Sequence, residues 1–373
     1  ADGATYARAT ELSSVSGADS TTPTIAKQVL VSDVDRHVLM FGCDPEDNIG
    51  TQDPLLIRFS DQEDVLTWAS TSTNTAGSLR LGSGSTIEAA VETRQQTLVF
   101  TDVSLHTLQF LGPPFTFGLQ MVSENITIMG PIAAVALEDQ VYWMGQGAFY
   151  VYSGRVTELP CTVKSYVFND INLDQKEKIF AATNSEFNEV WWFYPSASAD
   201  EIDRYVIFNY AENVWYFGSL TRTAWQDKGI SNFPLAAGGQ YLYDQENGLD
   251  DGSSDPAAPI TSYIESSQMD IGDGDNFAFI KRLIPDITFN GSTLSAPTVD
   301  FTIKTRNFPG GNYVQSTASA VTRSAKVPVE QFTDQVHLRL RGRSFAMRVE
   351  SDDLETKWRL GAPRLDIRQD GRR

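Results

Sequence analysis

Reactive side chains are scarce in this 373-residue chain. Its two cysteines, Cys43 and Cys161, lie too far apart in sequence to suggest a disulfide framework or a zinc site. They read as buried thiols of a reducing compartment. The three histidines, His37, His106 and His337, have no His-x-x-x-His spacing and no cysteine neighbour, so no metal centre is expected. No apolar run approaches the roughly 18–20 residues that span a bilayer, and no membrane-spanning segment is expected. The first residues carry no apolar core of a secretory signal. The chain opens instead in a polar tract, Ala1 to Thr24, without a methionine, as expected of a processed protein or a piece of a longer one. Helical periodicity is nearly missing. So are the nucleophile elbow, the Walker loop and the dinucleotide fingerprint. No catalytic residue, cofactor or metal is assigned, and the chain reads as a non-enzyme.

Short apolar and aromatic runs broken by Gly, Asp, Asn and Pro are abundant. They include Val38 to Phe41, Leu98 to Phe100, Val141 to Met144 and Val190 to Tyr194. Such runs favour strands, and the chain reads as all-β. The runs form a loose repeat: a strand, a polar turn, a strong apolar strand, a second turn, and a strand ending near glycine. Copies run from Ile87 to Gly112, from Ile126 to Gly154 and from Ile179 to Gly218. A partial copy covers Val29–Cys43 with Leu55–Trp68, and another covers Trp225–Tyr243. The spacing of roughly 40–50 residues is that of one propeller blade. A polar N-terminal segment, 1–27, followed by a β-propeller-like domain over 28–246 is therefore expected. Asn247 to Pro259, rich in Gly, Pro and Asp, reads as a linker. Beyond it, Asp300 to Arg306, His337 to Arg341 and Phe345 to Glu350 alternate with period two, which predicts a β-sandwich over 260–373.

Net charge is −19, unevenly placed. Residues 1–257 carry 13 basic and 34 acidic side chains, a balance of −21, and residues 258–373 carry 16 and 14, a balance of +2. An acidic surface repels phosphates, so sequence-specific nucleic-acid binding is excluded. Acidic walls suit a conduit that DNA passes without sticking. The second part carries Arg339, Arg341, Arg343 and Arg348 on its alternating strands, and these are the candidates for contacts with another subunit or an adaptor. The alternative is a solvated strand face.

Three other patterns invite a chemical reading. Gly82-Ser83-Gly84 looks like a phosphate cradle but lacks a lysine and a following helix, so a tight turn is expected. Asp270, Asp273 and Asp275, spaced by glycines, could ligate calcium, yet the spacing departs from the twelve-residue loop, and a hairpin turn is expected. Glu189 and Asp203 flank the aromatic run Asn188 to Pro195 and are the best-placed carboxylate pair for glycan cleavage. In that run, Trp191 and Phe193 should point to one face and Trp192 and Tyr194 to the other, as a strand buried on both sides requires.

The runs Val141 to Gly154, Leu159 to Cys161 and Tyr166 to Asn172 resemble those of tail nozzle (tail hub) proteins of short-tailed bacteriophages. So do Asn188 to Pro195, Tyr205 to Tyr210 with Trp215, Arg222 to Trp225, and Trp358 to Arg368. The resemblance covers about residues 28–373. It implies a propeller with additional β domains and a homohexameric ring below the portal and its adaptor. It also implies a virion location, after synthesis in the host cytoplasm, and a lumen that retains the genome and then passes it. Tail spikes or fibres would dock outside. Members of that family extend further at the N-terminus, and only about five blades are legible here. The remaining β-structure is expected from upstream sequence or a separate chain. The competing expectation is a propeller that binds or cleaves glycans.

Overall fold

The computed structural model describes residues 9–272, 274–308 and 324–371. Strands account for 46% and helix for 4%, which makes the chain all-β. It divides into two compact units, Ala1–Glu246 and Asn247–Arg373.

The first unit is β-propeller-like. Sheet one holds β1 (Gln28–Val31), β2 (Val38–Phe41), β3 (Leu56–Phe59) and β4 (Gly77–Arg80). Sheet two holds β5 (Ile87–Glu92), β6 (Thr97–Thr101), β7 (Ser104–Gly112) and β8 (Thr116–Glu124). Sheet three holds β9 (Ala134–Leu137), β10 (Gln140–Met144), β11 (Phe149–Tyr152) and β12 (Val156–Leu159). After a short helix, α1 (Lys164–Phe168), sheet four holds β13 (Phe180–Asn184), β14 (Glu189–Tyr194), β15 (Arg204–Asn209) and β16 (Val214–Ser219). Sheet five has only β17 (Ala224–Gln226), β18 (Leu235–Gly238) and β19 (Tyr241–Asp244). Every sheet is an antiparallel meander in chain order, and the first strands of successive sheets are neighbours. One meander cannot cover both of its faces, so each uses the next.

Aromatic side chains fill the seams between sheets. Phe59 meets Phe117 at 4.9 Å between sheets one and two, and Phe100 meets Trp143 at 5.2 Å between two and three. Phe149 meets Trp192 at 4.8 Å between three and four, and Trp191 stacks on Trp225 at 5.0 Å between four and five. Buried indoles need an acceptor. Trp192 Nε1 donates to the Ala133 carbonyl at 3.1 Å, and Trp225 Nε1 to the Thr183 carbonyl at 2.9 Å. The predicted alternation holds: Trp192 and Tyr194 lie in the core shared with sheet three, Trp191 and Phe193 in the one shared with sheet five.

Sheet one's outer face is closed by the chain before it. Leu12, Ala26 and the loop residue Trp68 cover Met40 and Leu56. Asp44, fully buried, accepts the amides of Thr24, Ile25 and Gly50 and the Thr24 hydroxyl. Burial alone would raise its pKa, but these hydrogen bonds hold it below the usual carboxylate value. Asp19 accepts the amides of Trp68 and Ala69. The described part of the polar N-terminal segment is thus built into the first unit.

The second unit begins with β20 (Asp250–Asp251) and β21 (Ala258–Pro259), which pair with each other. The segment 247–259, expected as a linker, holds these two strands and falls within the second unit. Its aspartates and glycines, read as spacer chemistry, also suit a small hairpin. Then come β22 (Ser262–Glu265), β23 (Met269–Asp270), β24 (Ala278–Ile284), β25 (Ile287–Thr288), β26 (Thr298–Arg306) and β27 (Ser324–Glu330). The unit ends with β28 (Val336–Gly342), β29 (Ser344–Ser351), β30 (Arg359–Leu360) and β31 (Arg364–Gln369). One sheet has the order β22-β29-β26-β27, with β23 also on β29, and another has the order β28-β24-β31. Both contribute to one core, with Val299, Phe301, Ile303 and Val349 from the first and Ile280, Leu283 and Leu338 from the second. The strict alternation of burial along β26 is what its sequence pattern requires.

Candidate functional site

The four arginines expected to make contacts lie on or between two successive strands of the second unit, β28 and β29, which belong to different sheets, and have different surroundings. Arg339 on β28 is exposed. Arg341 forms an ion pair with Asp370 at 2.6 Å and lies 4.0 Å over the ring of Phe277. Arg343 covers the same ring at 4.8 Å and donates to the Gly274 and Asp275 carbonyls at 2.9 Å each. These two cations therefore hold a turn and a terminal strand in place. Arg348 on β29 belongs to a surface network. It pairs with Glu350 at 2.6 Å and Glu265 at 3.3 Å and lies 3.8 Å over Tyr263. The Arg348 hydrogen bond holds the Glu350 carboxyl below the usual range. Lys304 and Lys326 extend the network to Glu265 and Asp300.

Two further cations escaped the sequence reading. Arg364 and Arg368 lie exposed on β31, the edge of its sheet. Arg368 rests 5.3 Å over Phe279, while Arg364 makes no ion pair or hydrogen bond among the described residues. This stretch entered the sequence reading only as part of the phage resemblance, and nothing local distinguishes an edge strand from an inner one.

The acid–aromatic corner of sheet four is the second candidate. Glu189 starts β14 and accepts Trp191 Nε1 at 2.9 Å. Burial pushes its carboxyl up to about 7, with a contribution from the charge of Glu246. Asn184, its cross-strand partner, is fully buried; its Nδ2 donates to Glu246 at 3.4 Å, and its Oδ1 has no partner among the described residues. Asp203 precedes β15 and lies beside the other end of β14. Its amide donates to the Tyr194 carbonyl, and its carboxylate accepts the Ser196 amide and hydroxyl at 2.7 and 2.8 Å. Five residue steps of strand separate the two ends, roughly 17 Å. An acid–base pair for glycoside hydrolysis needs roughly 5–9.5 Å. Glu189 and Asp203 therefore do not form such a pair. Trp191, only 6% exposed, is packed between Tyr205 and Trp225 and offers no free face for a sugar.

The remaining patterns resolve into turns. Gly84 has φ +99°, and a Cβ there would stand 2.7 Å from Thr101, so the glycine serves a close approach. The Asp102 carboxylate accepts the Ser85 amide and hydroxyl beside it. Of the three aspartates near β23, Asp273 lies outside the described residues, and the carbonyls of Gly274 and Asp275 accept from Arg343. His37 is buried among Phe59, Phe110 and Phe117, His106 is buried in β7, and His337 is exposed on β28. No cluster able to hold a metal occurs among the described residues. No helix there is long and apolar enough to cross a membrane.

No family model and no curated protein matches the chain. Solved structures give weak similarities. One is the extracellular domain of a putative one-component system from B. thetaiotaomicron, with 10% identity over 59% of this chain and 26% of that one, TM-score 0.36. Another is from an S. cerevisiae assembly of dbp5 with nup159 and gle1, with 8% identity over 65% and 66% of the two chains, TM-score 0.33. A third is the AfRom2 CNH domain, with 13% identity over 67% and 75%, TM-score 0.32. At these scores the likeness carries no argument about function.

Proposed function

We propose that the chain is a structural subunit of a short-tailed phage tail, a nozzle-type protein that assembles into a ring and forms a passage for DNA. The observation that supports this reading best is the division of charge between two β units. Residues 1–246 carry 13 basic and 31 acidic side chains, a balance of −18, and the arginine-bearing residues 247–373 carry 16 and 17, a balance of −1. A wall of carboxylates keeps phosphates from adhering along a lumen, and cations on a separate unit can join neighbouring subunits or an adaptor. The sequence resemblance points the same way. In this reading the acidic unit lines the path, the ring is six-fold, and the partners are the head-to-tail adaptor and the spikes or fibres.

Negative-stain imaging with mass photometry tests it, on the chain alone and mixed with neighbouring tail proteins. Six-fold rings with an open axis are the expected result. A chain that stays single under every condition would defeat the proposal.

A further inference from the structure

Sheets one to four each have four strands, while sheet five stops at three, with β19 at its edge. Among the described residues, Tyr241 and Leu242 of β19 are the most exposed large apolar side chains on any strand, at 70% and 67%. The sheet's two faces differ. Trp225, Ala236 and Tyr243 share the face toward sheet four, and Ala236 there is 1% exposed. Ala224, Ala237 and Leu242 share the other face, which no other sheet of the first unit covers among the described residues.

The hydrogen-bond register identifies the open groups. The Gln245 amide donates to the Pro234 carbonyl, so the bonded pairs alternate from there. Tyr243 and Tyr241 bond to β18, and Leu242 and Asp244 turn their N–H and C=O groups outward. No described residue accepts or donates to them. An edge with unmet backbone groups and bare apolar side chains is a template for one more strand.

The second unit carries a matching edge. β31 pairs only with β24, and its outward face bears Arg364 and Arg368. The other edges of the second unit's two large sheets fit less well: β28, at the far side of β31's sheet, lies against β26 and β27. β27 contains Pro328, which cannot donate to a ladder, and the Lys326 charge on it is already paired with Asp300. β22 carries Glu265, an anion like those near β19, already bound by Lys304 and Arg348. Asp244 on β19 makes no ion pair among the described residues, nor does Arg364 on β31.

We infer that β19 of one subunit takes β31 of a second copy as its fourth strand, with Asp244 facing an arginine of that strand. Asp244 meets Arg364 or Arg368 depending on strand direction, and the aliphatic arginine stems cover Leu242. The contact joins unlike surfaces, so repeated rotation closes a ring or extends a filament. The inference rests on the ring reading proposed above and specifies its joint.

The test uses the full chain, with mass photometry across a concentration series and thermal melts to confirm folding. Leu242→Pro removes an outward N–H without touching the β18 ladder. Asp244→Arg and the double variant Arg364→Asp/Arg368→Asp each set like charges together. Each change is expected to weaken assembly at least about tenfold. Combining Asp244→Arg with both arginine reversals should bring assembly back to within a few-fold of the parent. Assembly of the parent with no response to these variants would overturn the strand joint and leave the ring reading standing. Loss with Leu242→Pro but not with the arginine reversals would give the edge to a different segment of the second copy and also overturn it. A parent chain that never self-associates would end both readings.

Discussion

Sheet four carries large aromatics on both faces and buries both, whereas sheet five covers one face only in part, around Ala236 and Trp225, and leaves Leu242 bare on the other. The two share a meander plan and a common seam at Trp191 and Trp225. What differs is the neighbour. Sheet four stands between two sheets, so Trp192 is fully buried against Phe149 and Trp191 against Trp225. Within the first unit's described residues sheet five has a sheet neighbour on one side only, and its edge displays Tyr241 and Leu242. Burial in this unit therefore follows from position in the series of sheets more than from composition. Sheet one makes the same point from the other end, where Trp68 and the residues before β1 supply the cover that a further sheet would give.

The sharpest way to probe the contrast is to remove the ring that joins sheets three and four. Trp192→Ala should destabilise the subunit by about 3–5 kcal/mol, because the cavity cannot collapse between two packed sheets. It also strands the Ala133 carbonyl, the acceptor of the indole N–H. Chemical denaturation reads the change, and a loss under about 1 kcal/mol would mean that the seam is loosely packed.

Much of this contrast was legible in the sequence. Alternation along Glu189–Tyr194 gave the two faces correctly because a doubly buried strand must carry apolar residues at every position. The repeat was visible through its strong middle strands, β2, β6, β10 and β14. The outer strands were harder. β4 alternates half-buried and exposed positions, β12 exposes Thr157 and Glu158 between two half-buried ends, and both have few large apolar residues, so they look like loop. The corner at Glu189 was singled out for its residue types, but its partner was misjudged. Sequence proximity to the aromatic run placed Asp203 beside it, whereas the strand carries Asp203 to the far end. The arginine ladder was legible as alternation. Which cations are engaged was not, because the pairing of Arg341 with Asp370 and of Arg343 with the turn before Phe277 depends on long-range register.

Acid titration sharpens the comparison next, since sheet five has no counterpart to Glu189. Its carboxyl titrates at about 7 in the folded chain against 4.5 when unperturbed, so the folded state holds a proton that the unfolded state releases. Stability from this group is fully present below about pH 4.5 and declines as pH rises to about 7, by up to roughly 3 kcal/mol. Glu189→Gln stays neutral and retains an acceptor for Trp191. The variant should be more stable than the parent at pH 8 and similar at pH 4. Equal stability at both values would show that the carboxyl is solvated.

The smallest effect on the isolated subunit is expected at the bare edge itself. Tyr241→Ser and Leu242→Ser remove large side chains that are 70% and 67% exposed, so little apolar contact is lost on mutation. Each should alter subunit stability by no more than about 0.5 kcal/mol in a monomeric background, the range of ordinary surface changes. The same substitutions should weaken self-association, because the apolar cover for an incoming strand is gone. Denaturation at low concentration and mass photometry at high concentration separate the two effects. Losses of about 2 kcal/mol or more in the monomer would place β19 inside the subunit's own core. The contrast between a closed fourth sheet and an open fifth would then fail, and with it the reason for a strand to dock there.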